Sequence, residues 1–244
     1  MSALIIKKLE TGTNRDTPES MRRIIFRTAS LVLVLALAVV SISARPKKPK
    51  NKTASSSSFA YYMLVLSYAP DFCDETPAQR NSAECRPGNK FGFVVHGLWP
   101  QGETTRGPEN CKDPGGPSSA LVQSMLKYFP TEDLIHHEWT AHGTCSGLSA
   151  DEYFAAVKKA RDSVTIPDSL ASTSKQSLAP ADVVGQVASA NPTFPKTAFR
   201  TSCYTKDKEL KEVRICLAKD LTPRACGSSA GTCSLPKVTL LAVH

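Results

Sequence analysis

Four short segments of the chain are rich in β-branched and aromatic residues, the composition that is typical of β-strands. Their shortness favours strands over helices, because a helix that packs against a core runs for ten residues or more. The predicted strands lie at residues 61–68, 91–96, 212–219 and 238–243.

Three other segments carry the signals of helices. Residues 118–129 place apolar side chains at helical spacing and are followed by Pro130, which ends a helix. Ser149 and Glu152 form the pattern of a capping box, which predicts a helix that begins there. A third helix is predicted after Pro180, where valines recur at helical spacing.

The predicted strands and helices follow one another in an irregular order, and no internal repeat is evident. That order favours an α+β fold over an alternating parallel-sheet fold. The chain has 244 residues, of which 41% are hydrophobic and 21% charged, near the average for globular proteins. We therefore predict a single disulfide-stapled domain, with a central antiparallel sheet and flanking helices.

The first part of the chain has the composition of an export signal. Arg22 and neighbouring arginines precede an apolar run at residues 31–40, and small residues up to Ala44 follow. We predict a signal peptide over residues 1–44, with Met21 as an alternative start. The apolar run is about half the ~20 residues of a transmembrane helix, so we expect no permanent membrane anchor and a secreted or periplasmic location.

A basic, serine-rich linker is predicted at residues 45–58, before a domain at residues 59–244. Residues 1–58 hold eleven Lys or Arg and three Asp or Glu, which accounts for the whole formal net charge of +8. The remaining chain is neutral, so composition gives no reason to assign it a polyanion as ligand. Any such assignment has to come from a local site.

All eight cysteines follow the linker, and their even number suits disulfide formation in an oxidising compartment. No pair has the CxxC spacing, which disfavours a zinc ribbon. Counting alone allows 105 pairings. We propose only that Cys216 and Cys226 pair across a turn, with Cys203 and Cys233 outside them.

Four of the five histidines fall in two windows, HGLWP at residues 96–100 and HHEWTAHGTC at residues 136–145. Glu138 and His142 are four residues apart, which on a helix places carboxylate and imidazole on one face. A carboxylate there favours the protonated ring, although a surface ion pair of little consequence explains the spacing equally well. His136 is expected to be a plain exposed residue.

A zinc site of the HExxH type is not expected, because its histidines are four residues apart, whereas His137 and His142 are separated by five. We therefore predict no metal and no cofactor.

The two windows resemble the active-site segments of the T-two ribonucleases, which include secreted and periplasmic bacterial enzymes. The similarity also covers the first strand, which ends in Phe-Cys at residue 73, and the cysteine-rich C-terminal part. It implies an α+β endoribonuclease that cuts single-stranded RNA without a metal. In such enzymes the 2′-hydroxyl attacks the adjacent phosphorus and forms a 2′,3′-cyclic phosphate, which is later hydrolysed to a 3′-phosphate, so DNA is not cut.

The resemblance implies a role for each residue of the site. His142 is the general base, His96 is the general acid, and Glu138 supports the charged transition state, although acid and base could be interchanged. His137 is expected to hold phosphate. Trp99 resembles a base-stacking residue, with packing under the site as the alternative, and Gln101 is expected to contact the same base. These residues are assigned by resemblance: His96, Trp99, Gln101, His137, Glu138 and His142.

One position departs from the family pattern, because Ala141 stands where relatives commonly carry lysine. A positive charge near the phosphorane is therefore missing, and the loss of one such donor can cost ~10²–10³ in rate. The alternative function is a catalytically weak relative that binds RNA or protein. The expected partner is single-stranded RNA, and the expected state is a monomer. The disulfides implied by the resemblance are Cys73–Cys85, Cys111–Cys145, Cys203–Cys233 and Cys216–Cys226.

Overall fold

The computed structural model of the protein describes residues 58–76 and 82–243, which form one mixed α+β domain. The six strands found there run in chain order as β1 (Tyr61–Tyr68), β2 (Phe93–Gln101), β3 (Gln176–Leu178), β4 (Phe199–Tyr204), β5 (Glu209–Leu217) and β6 (Val238–Leu240). They form one sheet in the order β2-β1-β5-β6-β3, and β4 pairs with β5. The predicted α+β class is confirmed.

The sheet is antiparallel at every pair of strands except one. β5 and β6 are parallel neighbours through the pair Glu209 and Thr239. The prediction of an antiparallel sheet is therefore correct for the four pairs β1–β2, β1–β5, β3–β6 and β4–β5 and wrong for β5–β6. The exception arises because β6 follows a long irregular segment after β5, and such a connection permits a parallel approach.

Five α-helices accompany the sheet in the described residues. They are α1 (Ala69–Glu75), α2 (Ser119–Met125), α3 (Glu132–Ala141), α4 (Ala150–Asp162) and α5 (Pro180–Ala190). The capping box is present at the start of α4, where Glu152 N–H donates to the Ser149 hydroxyl and Ser149 N–H donates to the Glu152 carboxylate. The helix predicted after Pro180 begins at that proline.

The two faces of the sheet are covered differently. Leu64 and Leu66 of β1, together with Val213 of β5, face the main core, which also contains apolar residues of α2, α3, α4 and α5. The opposite face carries a smaller apolar cluster that includes Met63, Val65 and Cys216 and packs against Trp99. The histidine windows meet the sheet beside this smaller cluster.

Several predicted boundaries are wrong, and long-range pairing explains them. β2 runs on from the predicted end at residue 96 to Gln101, because it pairs with β1 along the whole length of that strand. α2 ends at Met125 and not at residue 129, since the carbonyl of Tyr128 accepts a hydrogen bond from Val95 of β2. β5 begins and ends earlier than predicted, and β6 is shorter.

Four disulfides are present, and they are the four pairs that the resemblance implies: Cys73–Cys85, Cys111–Cys145, Cys203–Cys233 and Cys216–Cys226. The predicted signal peptide and nearly all of the predicted linker lie outside the described residues and stay predictions. Within the described ranges, no helix has the length and apolarity needed to cross a membrane.

Candidate active site

A bulge in β2 places the first histidine. Leu66 of β1 lies opposite Val95, and Val65 lies opposite Gly97, so His96 is an extra residue without a partner in that register. A bulge redirects a side chain out of the regular alternation of a strand. The imidazole of His96 is 27% exposed, and its Nδ1 lies 3.2 Å from the hydroxyl of Ser67.

The end of α3 places the residues of the second window. The Thr131 hydroxyl caps the helix by accepting a hydrogen bond from Leu134 N–H, and the helix then leaves His137 exposed and Glu138 buried. His142 lies one residue beyond the helix, with φ −125°, although its N–H still donates to the Glu138 carbonyl. The helix that was predicted to carry both Glu138 and His142 therefore ends just before His142.

Glu138 of the second window is fully buried, and its carboxylate contacts residues of the first window. Its Oε2 accepts a 2.8 Å hydrogen bond from the indole N–H of Trp99. Its Oε1 lies 3.6 Å from Nε2 of His96 and 4.0 Å from Nε2 of His137. Burial raises the pKa of Glu138 to about 7, against the opposing effects of His96 and Trp99.

The close approach of Glu138 to β2 requires glycine at position 97. A β-carbon there would overlap the Glu138 carboxylate and the Trp99 indole nitrogen. The glycine of the first window therefore makes room for the carboxylate of the second.

A second carboxylate, from β5, reaches His96 from the other side. Oε1 of Glu212 lies 3.4 Å from Nδ1 of His96. Burial by itself would lower the pKa of His96, but the contact with Glu212 and the charges of Glu138 and Glu212 raise it. Glu212 was not predicted as a site residue, because the local sequence indicates only that it lies in a strand.

The carboxylate of Glu212 is held in its charged form by three donors. Its Oε2 accepts hydrogen bonds from Nε of Arg214 at 2.9 Å and from the hydroxyl of Ser202 at 2.8 Å, and Nη2 of Arg214 lies 2.8 Å away. Burial would raise the pKa of Glu212, but the contacts with His96 and Arg214 lower it to about 2. His96 therefore faces a permanent negative charge.

Trp99 lies between the two imidazoles. Its ring centroid is 5.1 Å from that of His96, in an edge arrangement, and 4.8 Å from that of His142, in a stacked arrangement. Trp99 therefore packs within the site, which fits the alternative prediction better than an exposed ring available for base stacking.

His142 is buried, with 7% of its surface exposed, and its Nδ1 has no hydrogen-bond partner in the described part of the chain. Burial, with smaller effects of His96 and His137, lowers the pKa of His142 to about 4. The expectation that Glu138 would favour a protonated His142 is therefore wrong, because that carboxylate faces His96.

Two of the remaining residues lie away from this centre. His136 is exposed, as expected. Gln101, at the end of β2, is buried with 6% of its surface exposed and is separate from the residues that line the adjoining cavity. Its contact with a base stays a prediction.

A cavity of about 530 Å³ opens beside the site. His96 and His137 belong to its lining. The lining also includes Ser67, Phe72, Tyr204, Lys211, Glu84 and Asp133. Ala141 is buried and contributes no charge. No set of three or more His, Cys, Asp or Glu side chains within residues 58–76 and 82–243 is placed to bind a metal ion.

Known proteins resemble this chain in sequence and in fold. The sequence model of the Ribonuclease T2 family matches residues 59–226. A ribonuclease of Aeromonas hydrophila is 31% identical over 182 residues, covering 72% of this chain and 77% of that protein. A probable ribonuclease of Haemophilus influenzae is 33% identical over 165 residues, covering 60% of this chain and 58% of that protein.

Among solved structures, an RNase-related protein from Calystegia sepium superposes with a TM-score of 0.62 at 22% identity, covering 77% of this chain and 99% of that chain. RNase NT in complex with 5′-AMP superposes with a TM-score of 0.57 at 20% identity, covering 76% of this chain and 99% of that chain. These structures share the fold. The match of the family's sequence model over residues 59–226 shows that this chain belongs to the Ribonuclease T2 family.

Proposed function

We propose that the protein is an endoribonuclease that cleaves single-stranded RNA by attack of the 2′-hydroxyl on the adjacent phosphorus. The observation that carries the proposal is the pair of imidazoles on either side of Trp99, whose pKa values are shifted in opposite directions. An enzyme that needs one base and one acid at the same pH needs such a separation. Membership of the Ribonuclease T2 family supports the same reaction.

His142 is the general base in this proposal. Its lowered pKa leaves the ring neutral above about pH 4, so it can accept the proton of the 2′-hydroxyl. The new bond joins the 2′-oxygen to phosphorus, and the bond between phosphorus and the 5′-oxygen breaks. The products are a 2′,3′-cyclic phosphate and a free 5′-hydroxyl.

His96 is the general acid. The charge of Glu212, and that of Glu138 when it is ionised, favour its protonated form, so it can give a proton to the departing 5′-oxygen. Because Glu212 engages Nδ1, the proton is given from Nε2, which lies 3.6 Å from Oε1 of Glu138. The opposite pKa shifts support this assignment over the interchanged one.

In its protonated form, the carboxyl group of Glu138 donates a hydrogen bond to the phosphorane. A fully charged carboxylate would repel phosphate, whereas a carboxyl with pKa about 7 is largely neutral at mildly acidic pH. His137 is 65% exposed beside it and holds the phosphate. Packing of Trp99 between the two imidazoles and contact of Gln101 with the base complete the proposed roles.

The reaction uses no metal and spares DNA, which lacks the attacking hydroxyl. The protein acts as a monomer in a secreted or periplasmic location, in keeping with its four disulfides.

The test is digestion of a single-stranded RNA oligonucleotide in excess EDTA, followed by analysis of the new ends. We expect 2′,3′-cyclic phosphates and no cleavage of the matching DNA. His96→Ala and His142→Ala should each lower kcat by roughly 10²–10⁴-fold. His136→Ala, which removes an exposed histidine of α3, is the control and should leave activity unchanged.

A folded protein that leaves RNA intact from about pH 4 to 8 would contradict the proposal and favour the binding-protein alternative. Loss of activity in EDTA would instead indicate a metalloenzyme.

A further inference from the structure

A second bulge lies in β5, opposite the one that places His96. Ser202 of β4 pairs with Glu212, whereas the next residue, Cys203, pairs with Leu210. Lys211 is therefore an extra residue in that register, as His96 is in β2. The strand between them, β1, brings the two bulges to one place, because Ser67 pairs with Val94 on one side and with Glu212 on the other.

Both extra residues face the same cavity. His96, Lys211 and His137 all belong to its lining, together with the hydroxyl-bearing Ser67. In the part of the chain that the structure describes, Lys211 forms no ion pair, and its ammonium lies 5.6 Å from the ring centroid of Tyr204. The charge of this ammonium also acts on Glu212, and because Lys211 lines the cavity, an anion that enters can bind it.

The charges of the lining favour phosphate near Lys211. Two carboxyl groups also line the cavity, Glu84 and Asp133. Burial raises the pKa of Glu84 to about 7, so this group is largely neutral at mildly acidic pH. The charges of Glu138 and Glu212 raise the pKa of His96, against the effect of Lys211, and His137 adds a second imidazole. A phosphate that meets His96 therefore has a lysine as its other cationic neighbour.

We propose that Lys211 is a phosphate-binding residue that supplies the positive charge missing at Ala141. This inference rests on the proposed function and adds a residue to it. The lysine comes from a bulge of the sheet and not from the helix that ends at Ala141, so it reaches the RNA backbone from the β5 side of the cavity.

The primary test measures kcat/KM for the RNA oligonucleotide with Lys211→Ala. We expect a loss of about 10-fold or more, less than the 10²–10³ of a fully enclosed donor because Lys211 is half-exposed. Lys211→Arg should recover most of the loss. Lys206→Ala is the matched control, because it removes one lysine from the nearby β4–β5 turn, where Lys206 pairs with Asp207. Its activity should stay within about 2-fold of the parent.

Binding of the uncleavable DNA oligonucleotide provides a readout besides activity. Lys211→Ala should weaken this binding and lower the slope of log Kd against log salt by roughly 0.7, the value for one phosphate contact to a single strand. Lys206→Ala should change neither quantity. If the parent cleaves no RNA, the proposed function fails, while this measurement still tests Lys211.

A double variant tests whether the two positions serve one role. Ala141→Lys should raise kcat/KM more in the Lys211→Ala background than in the parent, because only there is the charge missing altogether. An equal gain in both backgrounds would show that Lys211 does not take the place of the charge missing at position 141. Parent-like activity and DNA binding of Lys211→Ala, or losses that Lys206→Ala reproduces, would overturn the proposal as a whole.

Discussion

The two carboxylates that flank His96 differ in what surrounds them. Glu212 receives hydrogen bonds from Arg214 and Ser202, which keep it charged. Glu138 receives one, from Trp99, and burial raises its pKa to about 7. At mildly acidic pH the lasting negative charge beside His96 is therefore that of Glu212, while Glu138 can exchange a proton with its surroundings.

We predict that Glu212→Gln lowers the pKa of His96. The alkaline limb of kcat/KM, which reports this group in the free enzyme, should move to lower pH by about one unit. The acidic limb, set by His142 near pH 4, should stay in place. The NMR titration of the His96 ring gives the same shift without reference to activity. Glu132→Gln, an exposed residue at the start of α3, is the control, and an unmoved alkaline limb would refute the positioning role of Glu212.

We predict that Gly97→Ala displaces the Glu138 carboxylate and lowers kcat by about 10-fold or more, because the added methyl overlaps that group. Thermal unfolding should show a lower Tm as well. Gly185→Ala in α5 is the opposite case, since its β-carbon meets nothing within 4 Å. That change should stabilise the protein by about 0.4–1 kcal/mol. Normal activity of Gly97→Ala would show that Glu138 is dispensable.

At the scale of elements, the segment after α3 is tied down by two links. Asn110 N–H donates to the carbonyl of Ala141 at 2.8 Å, and Cys111 forms a disulfide with Cys145. The short 3₁₀ helix Gly143–Cys145 follows His142 directly, and its last residue forms that disulfide. Position 143 requires glycine, since a β-carbon would overlap the ring of Trp139. The loop and the helix end together hold His142 against Trp99.

Removing the Cys111–Cys145 disulfide by alanine substitution of both residues should therefore lower both stability and kcat. Removing Cys203–Cys233 provides the control, because the two disulfides span similar separations, 34 and 30 residues. Each removal should cost about 2–5 kcal/mol in the free energy of unfolding. Only the first should lower kcat at a temperature where both variants are folded. Equal kcat values would mean that the disulfide does not position His142.

At the scale of the whole molecule, several carboxyl groups are buried without full compensation. Asp71 of α1 accepts a hydrogen bond from Leu241 N–H, and burial raises its pKa to about 8. Burial also raises the pKa values of Glu138 and Glu209 to about 7. Each group binds a proton more tightly in the folded state than in the unfolded state. Their contribution to stability is therefore present at low pH and is lost as pH rises through the folded pKa.

We predict that the protein is more stable near pH 5 than near pH 8. Glu212 acts in the opposite sense, but its pKa of about 2 confines its effect to pH below about 4.5. The lowered pKa of His142 also acts in the opposite sense, but this single group offsets only part of the effect of the three carboxyl groups. Thermal unfolding should show a Tm lower by at least about 3 °C at the higher pH. Asp71→Asn removes one of these groups and should reduce the difference. A Tm that is equal or higher at pH 8 would contradict the prediction.

Local sequence patterns were enough to predict much of the fold. The segment at β1 was predicted with its observed bounds, and the capping box of α4 is present. These features depend on residues close together in the chain, so the sequence displays them directly. The extension of β2 and the early end of α2 depend on hydrogen bonds between distant segments, which no local pattern reveals.

The sequence by itself determined the family and brought attention to His96, Glu138 and His142, since both windows are contiguous motifs. Only the tertiary structure decided which carboxylates face which imidazole and that β5 contributes Glu212 and Lys211. The physical reason is that a bulge moves a side chain between the faces of a strand, and its position depends on register with neighbouring strands. Burial, which sets the opposed pKa values of the two histidines, likewise exists only once the chain has folded.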